Sequence, residues 1–476
     1  MITLYPDQQQ FVADLRAAFQ KYTSVLGVAA TGFGKTITSA YIASSAAAKG
    51  NTVWFTVHRR NLMDQTSKSF YDCGIKHGQV ASGRRQSREL VQIASVQTLV
   101  RRLNDSNLKA PDLLVVDEAH LAASATQRTV IDWCRARGSR VLGNSGSPHR
   151  LDGKPLGDLF EVMVEGPPIE WLIQNNRLSD YELYCPENIP DVSKIRTTAQ
   201  ADVLMSRSII IGDAIAEWIR HAAGKRTLVY CVSIKHSKLV RDAFVAAGIP
   251  AAHFDGCTKD AERKKIVNDL ADGKIKVLTN CELATTGFDL SSQVGREVPI
   301  ECIVLLRPTQ SLALYLQMVG RGLRRKPYPA IILDHAGCSI GKRGHGLPCE
   351  SRDWSLYADA PKPVDTFKRD PTTQIRQCGK CFRVLKVGAS CPNADPDCPL
   401  VNAAGKVPEI VDGNLTKIDL AAERQQKEAE RRRKKLEQSQ CRTLEDLIAL
   451  GERRGYSHPR FWAKKIWDTR RQKGRI

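Results

Sequence analysis

The segment AATGFGKT, at residues 29–36, ends an apolar run and opens a helical pattern. It has the spacing of a phosphate-binding loop, with alanine where the first glycine usually stands. Gly32 and Gly34 let backbone N–H groups turn toward phosphate oxygens, and the start of a helix adds a positive dipole. We expect Lys35 to reach the β- and γ-phosphates and Thr36 to bind Mg²⁺. The segment therefore predicts a nucleotide site between a strand and a helix.

Short apolar runs alternate with helical patterns in two successive series. The first series lies at residues 25–30, 53–57, 93–96, 113–116 and 140–143, and the second at residues 226–231, 251–254, 276–279 and 302–306. Continuous apolar runs with helical flanks are typical of parallel strands covered on both faces. The sequence therefore predicts an α/β protein with two parallel-sheet domains in tandem.

Changes in composition along the chain indicate further boundaries. The predicted parts are a first domain over residues 1–170, a linker over 171–204, a second domain over 205–340, an irregular connector over 341–376, a four-cysteine segment over 377–400, a linker or charged helix over 401–440 and a basic helical hairpin over 441–476.

The charge of the chain narrows the range of partners. Lys and Arg number 71 against 51 Asp and Glu, so the formal net charge is +20 in 476 residues. Residues 421–476 hold 17 basic and 8 acidic residues and therefore carry +9 of that excess. Such an excess favours a polyanionic partner, with nucleic acid first, and a merely basic surface is the alternative.

The remaining composition favours a soluble intracellular protein. No apolar run approaches the ~20 residues of a membrane span, and the first residues lack the pattern of a secretory signal. Fourteen cysteines in such a chain favour free thiols, with a metal site as a further option, over a disulfide framework. We therefore expect a cytoplasmic location, in a bacterial cell or a phage-infected one, and no membrane partner.

Two further clusters suit phosphoryl transfer. Asp117 and Glu118 follow an apolar run, which places Asp117 to hold Mg²⁺ and Glu118 to orient or deprotonate the attacking water. Residues 317–325 carry several arginines, whose planar guanidinium groups suit the γ-phosphate at the transition state. The alternatives are a surface turn with adjacent acids and a solvated basic helix face. The order of both clusters after the phosphate loop favours catalysis.

Residues 4–335 resemble the superfamily 2 helicases and translocases, which implies two tandem RecA-like domains. The segments that carry the resemblance, in family order, are residues 4–8 as the adenine-reading Q motif, 29–36 as motif I, 57–62 as motif Ia, 95–98 as the next strand-end contact, 117–120 as motif II in its DEAH form, 144–150 as motif III, 279–289 as motif V and 317–324 as motif VI. Residues 284–289 and 306–311 are most similar to the bacterial and phage RadD-type DNA helicases.

The resemblance implies a role for each matching residue. The catalytic residues are Lys35, Asp117, Glu118, Arg321 and Arg324, with Arg324 as the arginine finger; ATP is held by Gln8, Thr31, Gly32, Phe33, Gly34, Lys35, Thr36 and Asp289, and Mg²⁺ by Thr36 and Asp117. Coupling residues are His120, Ser145, Ser147 and Gln317, and nucleic-acid contacts are His58, Arg59, Gln97, Thr98, Thr285 and Thr286.

The sequence departs from the family pattern at two places. Tyr5 stands where arginine is common, which bears on the adenine clamp, and Ser145-Gly146-Ser147 replaces Thr-Ala-Thr in motif III. Hydroxyl groups survive at Ser145 and Ser147, so we expect hydrolysis to persist.

The C-terminal part contains a candidate metal site. Cys378, Cys381, Cys391 and Cys398 have the spacing C-x2-C-x9-C-x6-C. The first pair has zinc-ribbon spacing, and four thiolates suffice for a closed tetrahedral Zn²⁺ site with a structural role. The alternative is four reduced cysteines, because the second pair has six intervening residues where two are usual.

These observations favour an ATP-dependent DNA helicase or translocase in repair, recombination or replication. An RNA-directed helicase, an ATP-gated binding scaffold without unwinding, and the motor half of a restriction or defence machine are the alternatives. Single-strand-binding and other replication or repair proteins are candidate partners.

Overall fold

The structure is a computed structural model. It describes residues 2–58, 60–84, 87–122, 124–186, 197–281, 290–339, 344–360, 375–377, 384–386, 415–417, 432–433, 436–454 and 459–472.

The first domain is a seven-stranded sheet in which every pair of neighbouring strands is parallel. Its strands are β1 (Ser24–Val28), β2 (Val53–Val57), β3 (Gly78–Val80), β4 (Val91–Ser95), β5 (Leu113–Val116), β6 (Arg140–Ser145) and β7 (Val162–Glu165), in the order β3-β4-β2-β5-β6-β1-β7. Its helices are α1 (Pro6–Ala18), α2 (Lys35–Ala47), α3 (Arg60–Asp72), α4 (Val96–Arg102), α5 (Ala125–Arg135) and α6 (Ile169–Gln174). All residues of β1 and β2 are buried, because helices cover both faces of the sheet.

The second domain repeats this design. Its sheet contains β8 (Tyr181–Pro186), β9 (Thr227–Tyr230), β10 (Ala251–Phe254), β11 (Val277–Asn280), β12 (Cys302–Leu305), β13 (Ala330–Asp334) and β16 (Leu415–Lys417), in the order β10-β11-β9-β12-β13-β8-β16. Only the edge strand β16 is antiparallel to its neighbour. The helices are α7 (Thr198–Met205), α8 (Ser208–Ala222), α9 (Ile234–Ala246), α10 (Asp260–Ala271), α11 (Leu290–Val294) and α12 (Leu312–Gly320). The prediction of two parallel-sheet α/β domains is thus confirmed.

Two small hairpins lie outside these sheets. β14 (Ile375–Gln377) pairs with β15 (Val384–Lys386) in antiparallel fashion. Near the C-terminus, α13 (Leu444–Arg453) packs on α14 (Pro459–Gln472) around a small core that includes Leu447 and Ala463, with Trp462 and Ile466 against it. Among the helices of the described ranges, none is both long and apolar enough to cross a membrane.

The predicted linker over 171–204 differs from the structure. Strand β8 lies inside that range and pairs with β13, so the second sheet begins well before residue 205. Tyr181, Leu183, Tyr184 and Cys185 are buried along β8, and Glu182 interrupts the apolar run. An interrupted run of this kind differs from the continuous apolar runs on which the prediction relied.

The predicted connector over 341–376 also differs from the structure, because residues 344–360 pack on both domains. Leu347 and Cys349 are buried in the second-domain core, whereas Leu356 is buried in the first-domain core. The hydroxyl of Tyr357 donates to the carbonyl of Glu161 at 3.0 Å. We call residues 344–360 the strap.

Candidate active site

The phosphate loop lies between β1 and α2, at the carboxyl edge of the first sheet. Gly32 and Gly34 have φ angles of +92° and +98°, which favour glycine, and Gly34 is the N-cap of α2. The Lys35 ammonium group donates to the carbonyls of Ala29 and Ala30, at 2.9 and 3.2 Å. This curled loop with an inward lysine has the geometry of a phosphate cradle.

Phe33 contributes its backbone to this site and its side chain to the core. The ring is 2% exposed and packs edge-on against Phe11, with ring centroids 5.4 Å apart. Its carbonyl accepts a hydrogen bond of 2.7 Å from the side-chain amide of Gln8. The predicted ATP contact at this position is therefore available to the backbone only.

The acidic pair follows β5, two strands from β1 in the sheet. Burial and the neighbouring Glu118 carboxylate together raise the pKa of Asp117 to about 7, although Lys35 opposes the shift. Burial also disfavours ionised Glu118, but the positive charges of His120, Lys35 and Arg321 outweigh it and lower the pKa of Glu118. A buried carboxylate that resists ionisation gains most from a divalent cation beside it.

The residues present fit Mg²⁺ bound to ATP. Mg²⁺ is usually held by one or two protein oxygens together with substrate phosphates. Asp117 supplies a half-buried carboxylate, and Thr36, the second residue of α2, supplies a hydroxyl-bearing side chain at the helix start. In the described part of the chain, no cluster of three or more His, Cys, Asp or Glu side chains has the arrangement of a metal site made by protein alone.

Glu118 adopts a backbone conformation that is rare for its residue type. Its φ and ψ are 50° and 54°, in the left-handed region. The carboxylate accepts a hydrogen bond of 3.3 Å from the amide of Gln317, and its other oxygen lies 3.4 Å from Nδ1 of His120. Such strain persists when surrounding contacts hold it, and it is typical of functional sites.

The predicted coupling residues meet at this point. Nδ1 of His120 lies 3.3 Å from the hydroxyl of Ser145, and burial lowers the pKa of His120. Ser145 accepts a hydrogen bond of 3.3 Å from the backbone N–H of Ser147. Gln317 comes from α12 of the second domain, so these contacts join motifs II, III and VI across the interdomain cleft.

The arginines after α12 face the same cleft. Burial is the main cause that lowers the pKa of Lys35, and the positive charges of Arg321 and Arg324 add to it, so both guanidinium groups lie near the lysine. The two domains are also in close contact here, since a Cβ at Gly320 would lie 2.6 Å from Cβ of Thr31. The structure thus brings together the groups predicted for both halves of the ATP site.

The Q motif holds the start of α1 against the phosphate loop. The side-chain oxygen of Gln8 accepts from the backbone N–H of Tyr5 at 3.1 Å, while its amide donates to Phe33. Arg177, which the sequence did not single out, places its guanidinium carbon 3.3 Å from the centre of the Tyr5 ring. The separation of 172 positions leaves no local pattern from which this contact could have been predicted.

The predicted nucleic-acid contacts are described in part. The amide of Gln97 donates to the carbonyl of His58 at 2.8 Å, which joins the carboxyl ends of β2 and β4. Gln97 is exposed and Thr98 half-buried. Arg59, Thr285, Thr286, Asp289 and the four cysteines Cys378, Cys381, Cys391 and Cys398 lie outside the described residues.

Two family models match the two domains. Residues 1–150 match the model described as type III restriction enzyme, res subunit, and residues 211–326 match the helicase conserved C-terminal domain. The chain therefore belongs to the superfamily 2 helicases, and it is an ATP-hydrolysing enzyme of that class.

Individual relatives agree with this assignment. The "51.5 kDa protein" of Lactococcus phage (isolate 7-9) is 33% identical over 359 residues, which cover 74% of this chain and 73% of the phage protein. "Putative ATP-dependent helicase IRC3" of Saccharomyces cerevisiae is 28% identical over 296 residues, which cover 56% of this chain but only 40% of the yeast protein. Among solved structures, the ATP-dependent type ISP restriction-modification enzyme LlaBIII bound to DNA has a similar fold, with a TM-score of 0.51, 15% identity, and coverage of 70% of this chain and 27% of that chain.

Proposed function

We propose that this protein is an ATP-driven DNA translocase or helicase that acts in repair, recombination or replication. The observation that carries the proposal is the hydrogen bond between Gln317 of the second domain and Glu118 of the first. A hydrolytic carboxylate held by the opposite domain links the state of the nucleotide to domain closure. Alternating closure and opening is the movement that a two-domain motor needs.

Two observations support a nucleic-acid partner, and a third favours DNA. The chain carries a net charge of +20, which favours binding to a phosphate backbone. Polar groups at His58 and Gln97 lie together at strand ends, where they suit contacts that do not depend on base sequence. The restriction-modification enzyme with a similar fold was solved bound to DNA.

A second candidate function is the motor of a restriction or defence machine. The match of residues 1–150 to a restriction-enzyme res subunit favours it. In that case we expect the chain to move along duplex DNA without separating the strands.

Two finer assignments complete the proposal. The sequence of residues 284–289 and 306–311 supports membership of the RadD-type group, with single-strand-binding and repair proteins as candidate partners in the cytosol. The spacing of Cys378, Cys381, Cys391 and Cys398 supports a structural Zn²⁺ site. Metal analysis of the purified protein tests it, with about one Zn²⁺ per chain expected and loss of that metal in Cys378→Ser.

Steady-state ATP hydrolysis tests the main proposal. We expect DNA to raise the rate, and we expect the rate to vanish in Lys35→Ala because the phosphates lose their cation. Rates are measured without polymer and with single-stranded DNA, duplex DNA or RNA. Stimulation by RNA alone would identify an RNA-directed helicase, and ATP binding without any hydrolysis would identify an ATP-gated scaffold.

Strand separation and translocation are then measured apart. A forked duplex reports unwinding, whereas displacement of a third strand from a triplex reports movement along intact duplex. Displacement without unwinding would favour the second candidate function over the first.

A further inference from the structure

Three consecutive residues between the domains contact three different parts of the ATP site. Arg177, Leu178 and Ser179 follow α6 and lead into β8. The backbone N–H groups of Arg177 and Leu178 donate to the carbonyl of Leu172, at 2.7 and 3.0 Å, which attaches the segment to the end of the first domain. We call Arg177–Leu178–Ser179 the clip.

Arg177 contacts the segment that precedes and begins α1. Its Nε lies 3.2 Å from a carboxylate oxygen of Asp7, which is almost fully buried, and its guanidinium carbon lies 3.3 Å from the centre of the Tyr5 ring. Tyr5 donates its backbone N–H to Gln8, the residue expected to read adenine. A planar cation stacked on a ring and paired to a carboxylate fixes the position of both.

Leu178 contacts the phosphate loop. Its side chain is 2% exposed within the first-domain core, and a Cβ at Gly32 would lie 2.7 Å from its Cδ2. On the other side, its backbone forms an isolated antiparallel bridge with Arg324. A single residue thus separates the phosphate loop from the expected arginine finger.

Ser179 holds the chain around that finger. Its backbone N–H donates to the carbonyl of Leu323 at 2.9 Å. Its hydroxyl lies 3.0 Å from the carbonyls of both Arg324 and Lys326, and it accepts from the backbone N–H of Lys326 at 2.8 Å. Because Ser179 is only 5% exposed, water does not readily replace these bonds.

We propose that the clip positions groups of the ATP site. Ser179 fixes the position of Arg324 relative to the phosphate loop, and Arg177 fixes the position of the Q motif relative to the same loop. The proposal rests on ATP hydrolysis by this chain. None of the three residues needs to touch the nucleotide; each acts through a neighbour that does.

The two ends of the clip predict different kinetic effects. An arginine finger acts on charge that develops in the transition state, so a displaced Arg324 lowers kcat. We expect Ser179→Ala to lower kcat tenfold or more with KM for ATP changed less than threefold. We expect Arg177→Ala to raise KM for ATP fivefold or more and to reduce the preference for ATP over GTP, because base recognition acts in binding.

Conservative variants and a stability control separate positioning from folding. Ser179→Thr keeps the hydroxyl and is expected to restore most of kcat, whereas Arg177→Lys keeps the charge near Asp7 but not the flat stack on Tyr5. Val130→Ala, in the first-domain core away from the clip, reports what a loss of stability alone does to both constants. All variants are compared by thermal unfolding first.

The outcomes are distinct. Loss of kcat in Ser179→Ala with recovery in Ser179→Thr, and loss of nucleotide selectivity in Arg177→Ala, support the clip. Unchanged kcat in Ser179→Ala, or equal changes in kcat and KM in every variant including Val130→Ala, would overturn it. Absence of hydrolysis in the unmodified protein would instead contradict the ATPase assignment, so the two failures are told apart.

Discussion

Single residues of the ATP site adopt unfavourable states, which are a strained backbone at Glu118 and a carboxyl group at Asp117 that resists ionisation. Glu118 is half-buried, has a left-handed backbone conformation and is contacted from both domains. Asp117 beside it is a poor acid in this environment, with a pKa raised to about 7, first by burial and then by the charge of Glu118. The fold thus holds both carboxylates in place near Lys35, with the backbone strain at Glu118.

Replacing the hydrolytic carboxylate tests this arrangement. We expect Glu118→Gln to lower kcat for ATP about 10²–10⁴-fold, because an amide of the same shape keeps the contact with Gln317 but does not accept a proton. ATP binding, measured at equilibrium, should persist. Glu262→Gln on the exposed face of α10 is the control, and similar activity in both variants would refute the role of Glu118.

The contact between Gly320 and Thr31 allows a second test. A Cβ at position 320 would lie 2.6 Å from Thr31 Cβ, so we expect Gly320→Ala to force the domains apart and to lower kcat/KM at least tenfold. Gly212→Ala in α8 meets open space and should preserve activity, with a gain in helix stability up to about 1 kcal/mol. Equal activities of Gly320→Ala and Gly212→Ala would show that ATP hydrolysis does not require the close contact between Gly320 and Thr31.

Among the elements of the second domain, α12 reaches the ATP site. Other residues pack against the side of α12 that faces away from that site. Ser311 caps the helix by accepting from the backbone N–H of Leu314 at 3.4 Å. The hydroxyl of Tyr315 lies 3.0 Å from that of Ser339, and its ring stacks on His345 of the strap, with centroids 5.5 Å apart. The orientation of Gln317 therefore depends on packing on the far side of the helix.

Buried and half-buried histidines of the second domain and the strap predict acid sensitivity. Burial lowers the pKa of His236, His335 and His345 to about 4, against about 6.5 in an unfolded chain. The unfolded state then binds more protons between pH 6.5 and 4, so stability is complete above about pH 6.5 and is lost as the pH falls toward 4. Each histidine contributes up to about 1.4 kcal/mol per pH unit in that window.

Unfolding measured against pH checks this expectation. We expect the denaturant concentration at the unfolding midpoint of the second domain to decrease as the pH is lowered below 6.5. His335→Gln has no titrating group at that position. The slope of its unfolding free energy against pH should therefore correspond to about one proton fewer than in the unmodified chain. An identical slope in the variant and the unmodified chain would contradict the assignment to His335.

At the scale of the whole molecule, two segments connect the domains on different sides. The clip lies at the ATP cleft, between α6 and β8. The strap runs from the core of the second domain back to the first, where Nε2 of His149, within motif III, lies 3.1 Å from the carbonyl of Ala358. Trp354 of the strap also lies against His149, with ring centroids 5.7 Å apart.

The strap should therefore contribute to the stability of a domain that precedes it in the chain. We expect Leu356→Ala to destabilise the first domain by about 2–5 kcal/mol, because it leaves a cavity in that core. Leu436→Ala is the matched control, since Leu436 is 59% exposed. Denaturant unfolding measures the change, and equal stability of the two variants would show that the strap does not anchor there.

Local patterns in the sequence were sufficient to predict the nucleotide motifs and the parallel domains. Lys35, Asp117 and Glu118 each follow a buried strand of a parallel sheet, and the carboxyl ends of such strands meet at one edge. Their proximity could thus be inferred without knowing the sheet order. The arginine cluster at residues 317–325 was also predicted from the sequence, whereas Arg321 and Arg324 were singled out within it by the family resemblance.

Contacts between distant parts of the chain could not be predicted from the sequence. Arg177 on Tyr5, Ser179 on Arg324 and Leu356 in the first-domain core join positions more than 140 residues apart. Such contacts depend on how the two sheets are placed, and they leave no periodic signal along the chain. Local sequence patterns were thus enough to predict which residues carry the chemistry. Packing between the domains sets which residues hold them in place, because burial and hydrogen bonding form only when the chain is folded.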